Sequence, residues 1–208
     1  MIVVKIYLWK KYVGALVEDG NSIAFEYDKD FRDSGHSISP LNLPLREGTF
    51  VFPELLRKNA FLGLPGVFAD CLPDKFGNKI VEKILRDQAL NQFSQAQKLL
   101  YMGQQGMGAL EFEPASSVKK NENKPLNIRH LVEESRKVIQ GDITTKTAEI
   151  MQVGSTAGGT RAKAVIGWNK KTNDVIHGLG QLPKGYESWI LKFDGVEKKH
   201  EPWRTYSF

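Results

Sequence analysis

The sequence predicts an α+β fold in two parts: a strand-rich N-terminal subdomain with packed helices, then a helix followed by an antiparallel sheet. Three observations lead there. Short runs of β-branched and aromatic residues occupy both ends of the chain, and two stretches of helical periodicity lie between them. A polar, proline-bounded stretch at residues 114–125 has almost nothing to bury and reads as a linker. A boundary is expected there, and 208 residues suffice for a real core in one or two domains.

Residues 2–9 form the first expected strand, followed by strands at residues 12–17 and 23–27. Asp19-Gly20 between the latter two is a hairpin signal, and Phe25 and Tyr27 alternate with Ala24 and Glu26. The chain therefore opens as an antiparallel meander. Ser-Gly, Ser-Pro and Leu-Pro breaks follow, with short strands expected at residues 38–41 and 49–52. Phe76, Ile80, Val81, Ile84 and Leu85 share one helical face, with Pro73 near the start, where its missing N–H costs nothing. A second helix is expected over residues 92–102, stopped by Gly103. Residues 106–113 alternate as a half-buried strand does.

In the second part, Asn127 is the expected N-cap of a helix carrying Ile128, Leu131, Val132, Val138 and Ile139, ended by Gly141. Strands are expected at residues 164–168, 175–177 and 188–194. No internal repeat is visible.

Composition narrows the chemistry. Apolar content is 41%, charged content 25% and net charge +5, with acidic residues spread among the basic ones and no basic block of a nucleic-acid arm. A single cysteine excludes an intrachain disulfide framework, and four scattered histidines show no metal-ligand spacing. No apolar run reaches the roughly 18 residues of a membrane span, and the N-terminus lacks signal-peptide features. A reduced, cytoplasmic setting is the expectation.

Residues 153–163 read V-G-S-T-A-G-G-T-R-A-K. Glycines let successive amides form a nest that can hold a phosphate, and Arg161 and Lys163 add positive charge. Gly154 and Gly159 have P-loop spacing, but Thr160-Arg161 stands where Lys-Ser/Thr is required, so this is not a Walker A motif. By pattern alone the stretch is either a phosphate nest or an ordinary glycine turn. Lys192 interrupts the apolar run Trp189, Ile190, Leu191, Phe193. It either meets an anion or discourages aggregation at a sheet edge. A Gly-rich loop and a strand lysine together are half of a kinase-like nucleotide site. Phe193-Asp194-Gly195 is only a shuffled D-F-G, so Asp194 receives no magnesium role. No H-R-D loop, H-E-x-x-H or G-x-S-x-G motif is present.

Taken in order, five stretches resemble the HipA family of bacterial kinase-like toxins. They are Y-V-G-A-L at 12–16, F-A-D-C-L-P-D-K-F-G at 68–77, and M-G-Q-Q-G-M-G-A-L-E-F-E-P at 102–114. The others are G-S-T-A-G-G-T-R-A-K at 154–163 and W-I-L-K-F at 189–193. The resemblance implies that residues 1–115 are a strand-rich N-terminal subdomain and residues 116–208 a kinase-like N-lobe. It also implies ATP-dependent protein serine/threonine kinase activity, with magnesium, in a toxin–antitoxin system. By match, Thr156, Ala157, Gly158, Gly159 and Thr160 would contact the phosphates of ATP, and Lys192 its α/β-phosphates. Ser155 stands where family members autophosphorylate, and a phosphate there would compete with ATP for the same amides. The implied partners are a DNA-binding, HipB-like antitoxin, through which DNA is met only indirectly, and a protein substrate such as an aminoacyl-tRNA synthetase. After Gly195 the family pattern lapses, and the catalytic base and magnesium ligands that a C-lobe supplies are missing from these residues. The expectation is that this chain alone phosphorylates nothing. A non-catalytic module docking on a separate kinase subunit is the rival reading, and nucleic-acid binding by charge is the weakest.

Overall fold

The computed structural model describes residues 1–20, 22–53, 61, 63–87, 93–104, 106, 108–114, 125–142, 163–178 and 181–193. These form two compact units. One comprises residues 1–72 and 92–118; the other comprises residues 73–91 and 119–208.

In the first unit the meander forms as the alternation of side chains dictates. Strands β1 (Ile2–Leu8), β2 (Lys11–Asp19) and β3 (Ser22–Tyr27) pair antiparallel in succession, with Asp19 facing Ser22 across the hairpin turn. After β3 comes the short helix α1 (Lys29–Asp33), whose N-cap Asp28 accepts from the amides of Asp30 and Phe31. The two-residue strand β4 (Phe50–Val51) closes one edge, and β5 (Leu110–Glu113) closes the other, giving the order β4-β3-β2-β1-β5. Val4, Ile6, Leu16, Phe25, Phe50 and Phe112 point to one face and are buried. Helix α4 (Gln95–Met102) packs against β1, β2 and β5. Its capping box is complete: Ser94 Oγ accepts from the Gln97 amide while Gln97 Oε1 accepts from the Ser94 amide. The short helix α2 (Gly66–Ala69) contributes Phe68, whose ring meets Phe25 edge-on at 5.2 Å.

One sequence expectation is corrected here. Residues 38–41 make no strand. Pro40 has no N–H to donate, and Leu43 folds back instead, its amide on the Ser39 carbonyl at 2.8 Å and its side chain fully buried. Helix α3 (Lys75–Asp87) groups with the second unit, where it packs on α5 (Ile128–Gln140).

That second unit is a helix pair with a small sheet. Asn127 caps α5 through the His130 amide, and Gly141 ends it at φ +89°. Ile80, Val81, Leu131, Val132 and Val138 are buried, whereas Ile128, expected on the apolar stripe, is exposed in the first turn. The side chains of Phe76, Ile84, Leu85 and Ile139 lie outside those described. Strands β6 (Lys163–Asn169), β7 (Asp174–His177) and β8 (Glu187–Lys192) follow in the order β7-β6-β8, all antiparallel. The outer edge of β7 meets Pro125 and Leu126, whose amide bonds the Val175 carbonyl at 2.8 Å. The linker expected at 114–125 therefore ends as part of this sheet. Among the described residues no helix is long and apolar enough to cross a membrane.

One glycine is fixed by close approach. β2 carries a bulge at Val13, where the register shifts opposite Ile6 and Tyr7. There Gly14 has φ +154°, and a Cβ on it would lie 2.1 Å from the Glu26 carbonyl oxygen. Gly14→Ala is expected to cost more than about 4 kcal/mol, because the obstacle is backbone. Gly20→Ala, at φ +57° in open space, is expected to cost about 1 kcal/mol. Urea unfolding of both variants checks this; equal losses would contradict the account of the bulge.

Candidate functional site

The site expected from sequence had two halves, and the structure describes one. Ser155, Thr156, Ala157, Gly158, Gly159, Thr160 and Arg161 lie outside the described residues. Lys163, the last residue of that motif, opens β6, and Lys192 closes β8. The antiparallel register sets these two lysines directly opposite each other. Opposed residues share a sheet face with their Cβ atoms about 5 Å apart, so the chain emerges from the Gly-rich stretch one strand away from Lys192.

The two faces of β8 differ. Trp189 and Leu191 alternate onto the face shared with Ala164 and Ile166 of β6, and Phe193, next in line, is buried. Ser188, Ile190 and Lys192 take the other face and are exposed, Ile190 at 54%. On that second face β6 is covered. A Cβ on Gly167 would meet Leu182 at 2.8 Å and Ile176 at 2.9 Å, so side chains from the following segment lie close over the strand.

Lys163 and Lys192 have opposite surroundings despite their pairing. The Lys163 side chain is only 12% exposed, and its Nζ lies 3.3 Å from Asp74 Oδ2; Asp74 is itself 6% exposed. The second oxygen of Asp74 accepts from the Gly77 amide at 2.8 Å, the N-cap arrangement for α3. A carboxylate at a helix N-terminus is favoured by the helix dipole, and one that also meets an ammonium is doubly held. Lys192 is exposed and makes no ion pair among the described residues.

Asp74 was missed at the level of sequence. Pro73-Asp74 ahead of a helical pattern signals a cap, yet nothing local tells that the same carboxylate reaches a lysine 89 positions away. Two stretches singled out for family resemblance, at 68–77 and 154–163, thus meet through one buried pair.

Other reactive groups are quiet. Burial, and then the Asp70 charge, pushes the Cys71 thiol up to about 11, so it is no nucleophile at neutral pH. On α5, Glu134 is 2% exposed and accepts from Lys137 Nζ at 2.5 Å. That hydrogen bond, with the Glu134 charge, holds the lysine ammonium above its ordinary pKa. Among the described residues no group of three or more His, Cys, Asp or Glu could hold a metal ion.

Comparison with known proteins now bears on these features. A family model described as the HipA N-terminal domain matches residues 4–113, more than half of the chain. The chain belongs to the HipA family. Three of the five resemblances, at 12–16, 68–77 and 102–114, fall wholly or almost wholly inside that match, and those at 154–163 and 189–193 lie beyond it. Among solved structures, HipA of the Shewanella oneidensis MR-1 toxin–antitoxin system, in complex with HipB and its operator DNA, matches with a TM-score of 0.50 at 17% identity. The match covers 83% of this chain and 37% of that one, so this HipA-family chain spans little more than a third of its neighbour's length. At that identity the likeness is one of fold. No curated protein matches.

Removing the Asp74 charge tests the pairing of the lysines. Asp74→Asn keeps a good cap but takes the charge away from beside the buried Lys163, an expected loss of about 3 kcal/mol. Adding Lys192→Met should return roughly 0.5 kcal/mol by relieving like charges across the strands. Denaturant unfolding of the single and double variants measures both, and no recovery would mean that the ammoniums do not interact.

Proposed function

We propose that the second unit of this HipA-family chain is the phosphate-clamping lobe of a HipA-type protein serine/threonine kinase toxin. The observation that supports this best is the register of β6 against β8. It sets an exposed ammonium, without an ion pair among the described residues, beside the strand that leaves the Gly-rich stretch. Of the two opposed lysines Asp74 meets Lys163, and an incoming phosphate would bring negative charge to Lys192.

In this reading the amides and hydroxyls of Thr156–Thr160 hold the β/γ-phosphates of ATP, and Lys192 meets the α/β-phosphates. Lys163 is committed to Asp74 and acts on the loop by fixing where it joins the sheet. Ser155 is the proposed autophosphorylation site, where a dianionic phosphate would occupy the same amides as ATP. Magnesium accompanies ATP in sites of this kind. The described residues offer it no ligand cluster, so no step through magnesium is assigned to them. The solved HipA neighbour is complexed with HipB and operator DNA. A HipB-like DNA-binding antitoxin is accordingly the proposed partner, met in the cytoplasm. An aminoacyl-tRNA synthetase is the proposed class of protein substrate, on family resemblance alone.

A lysine that merely blunts the edge of a small sheet would occupy the same place as Lys192. Calorimetric titration with ATP and magnesium separates the two. Lys192→Ala is expected to weaken binding about tenfold or more, the worth of one charge-assisted contact. Equal affinity in wild type and variant would assign Lys192 to the edge and remove it from the nucleotide site.

A further inference from the structure

The first unit turns one sheet face to its core and leaves the other with a hollow of about 510 Å³, within the size range of ligand-binding clefts. Its cause is a pair of alanines. Ala15 on β2 faces Glu26 on β3 in register, and Ala24 sits one like-facing pair further along. Two side chains that stop at Cβ leave a depression between the taller Tyr12 and Glu26. Both alanines are half-buried and Glu26 is exposed at the rim.

The charge around this hollow runs against that of the chain. Its charged lining groups are Glu26, Asp28 and Lys29. Lys29 is already neutralised by Asp33, Nζ to Oδ2 at 2.6 Å. Glu26 spends one oxygen on the Thr49 hydroxyl at 2.7 Å, and Asp28 caps α1 with Oδ1. Two carboxylates therefore dominate a concavity on a protein whose net charge is +5. Burial, and then the negative charge of Asp28, raises the pKa of the Tyr12 phenol, in keeping with a negative field there.

We propose that this hollow receives an arginine side chain presented by an extended segment of a partner protein. The aliphatic stem fits a floor of small apolar side chains, where long basic residues bury their methylenes while the head group stays at the polar rim. The guanidinium reaches the Glu26 carboxylate as a charge-assisted donor, and the Tyr12 ring offers an aromatic face to it. Arginine is preferred over lysine because its planar fork both pairs with a carboxylate and stacks on a ring. A nucleic acid is repelled by the same two carboxylates. The inference stands on the first unit alone and is independent of the nucleotide reading.

The test uses amide chemical-shift mapping of the full chain with a terminally blocked Gly-Ala-Arg-Ala-Gly peptide, and with its citrulline counterpart, which has the same shape without the charge. Ala15, Ala24 and Glu26 should shift with the arginine peptide, and citrulline should bind about tenfold more weakly. Glu26→Gln should lower affinity for the arginine peptide by a similar factor, and Ala15→Leu, which fills the hollow, should abolish it with dispersed spectra retained. Should Ala15→Leu fail to fold, Glu26→Gln carries the test. Shifts elsewhere on the chain, equal binding of citrulline, or displacement of the peptide by a single-stranded oligonucleotide occupying the same residues would each overturn the proposal.

Discussion

Two lysines set against each other across a pair of strands are the constraint on which the second unit depends. Like charges directly opposed on one sheet face repel, and the pairing of β6 with β8 forces Lys163 and Lys192 into that arrangement. The chain answers with Asp74, which caps α3 with one oxygen and meets Lys163 with the other. Helix α3, the exit of the Gly-rich stretch and the end of β8 are thereby tied to one electrostatic arrangement. The carboxylate of Asp74 meets Lys163, and Lys192, opposite it, is left exposed. The gathering of positive charge at this corner is thus a consequence of strand register.

The first unit rests on a different constraint, backbone proximity. The bulge at Val13 brings Gly14 against the Glu26 carbonyl, and only hydrogen in place of Cβ permits it. That approach keeps β2 and β3 in the register that buries Leu16 and Phe25 on one side and opens the alanine hollow on the other. Core and cleft are two faces of one pairing.

Much of this was legible in the sequence because it is local. Runs of β-branched and aromatic residues located β1, β2 and β3, alternation located β5, periodicity with an Asn cap located α5, and Gly103 marked the end of α4. What escaped was non-local. The short strand expected at 49–52 is there as β4, but nothing near it says that it pairs with β3, and nothing near residues 110–113 says that they pair beside β1. Helix α3 reads as part of the first segment because its own residues do not reveal that Asp74 and α5 hold it elsewhere. Ile128 satisfied the apolar stripe yet lies exposed in the first turn of α5, since periodicity fixes a direction and not what covers it. Of the expected site, the position of Lys192 on a strand was legible, and so was its adjacency to apolar residues, whereas its place at the strand's end was not. Its partner across the sheet and the buried anchor behind that partner required coordinates.

The central claim is that Lys192 stands at the phosphates of a bound nucleotide, and an acyl-phosphate derivative of ATP tests it most directly, because it transfers its acyl group to whichever lysine lies beside those phosphates. Mass spectrometry of the labelled chain should find Lys192 acylated, and excess ATP should suppress that label while leaving exposed lysines such as Lys29 and Lys170 unaffected. Labelling of Lys192 at the same level with and without ATP, or none at all, would contradict the account.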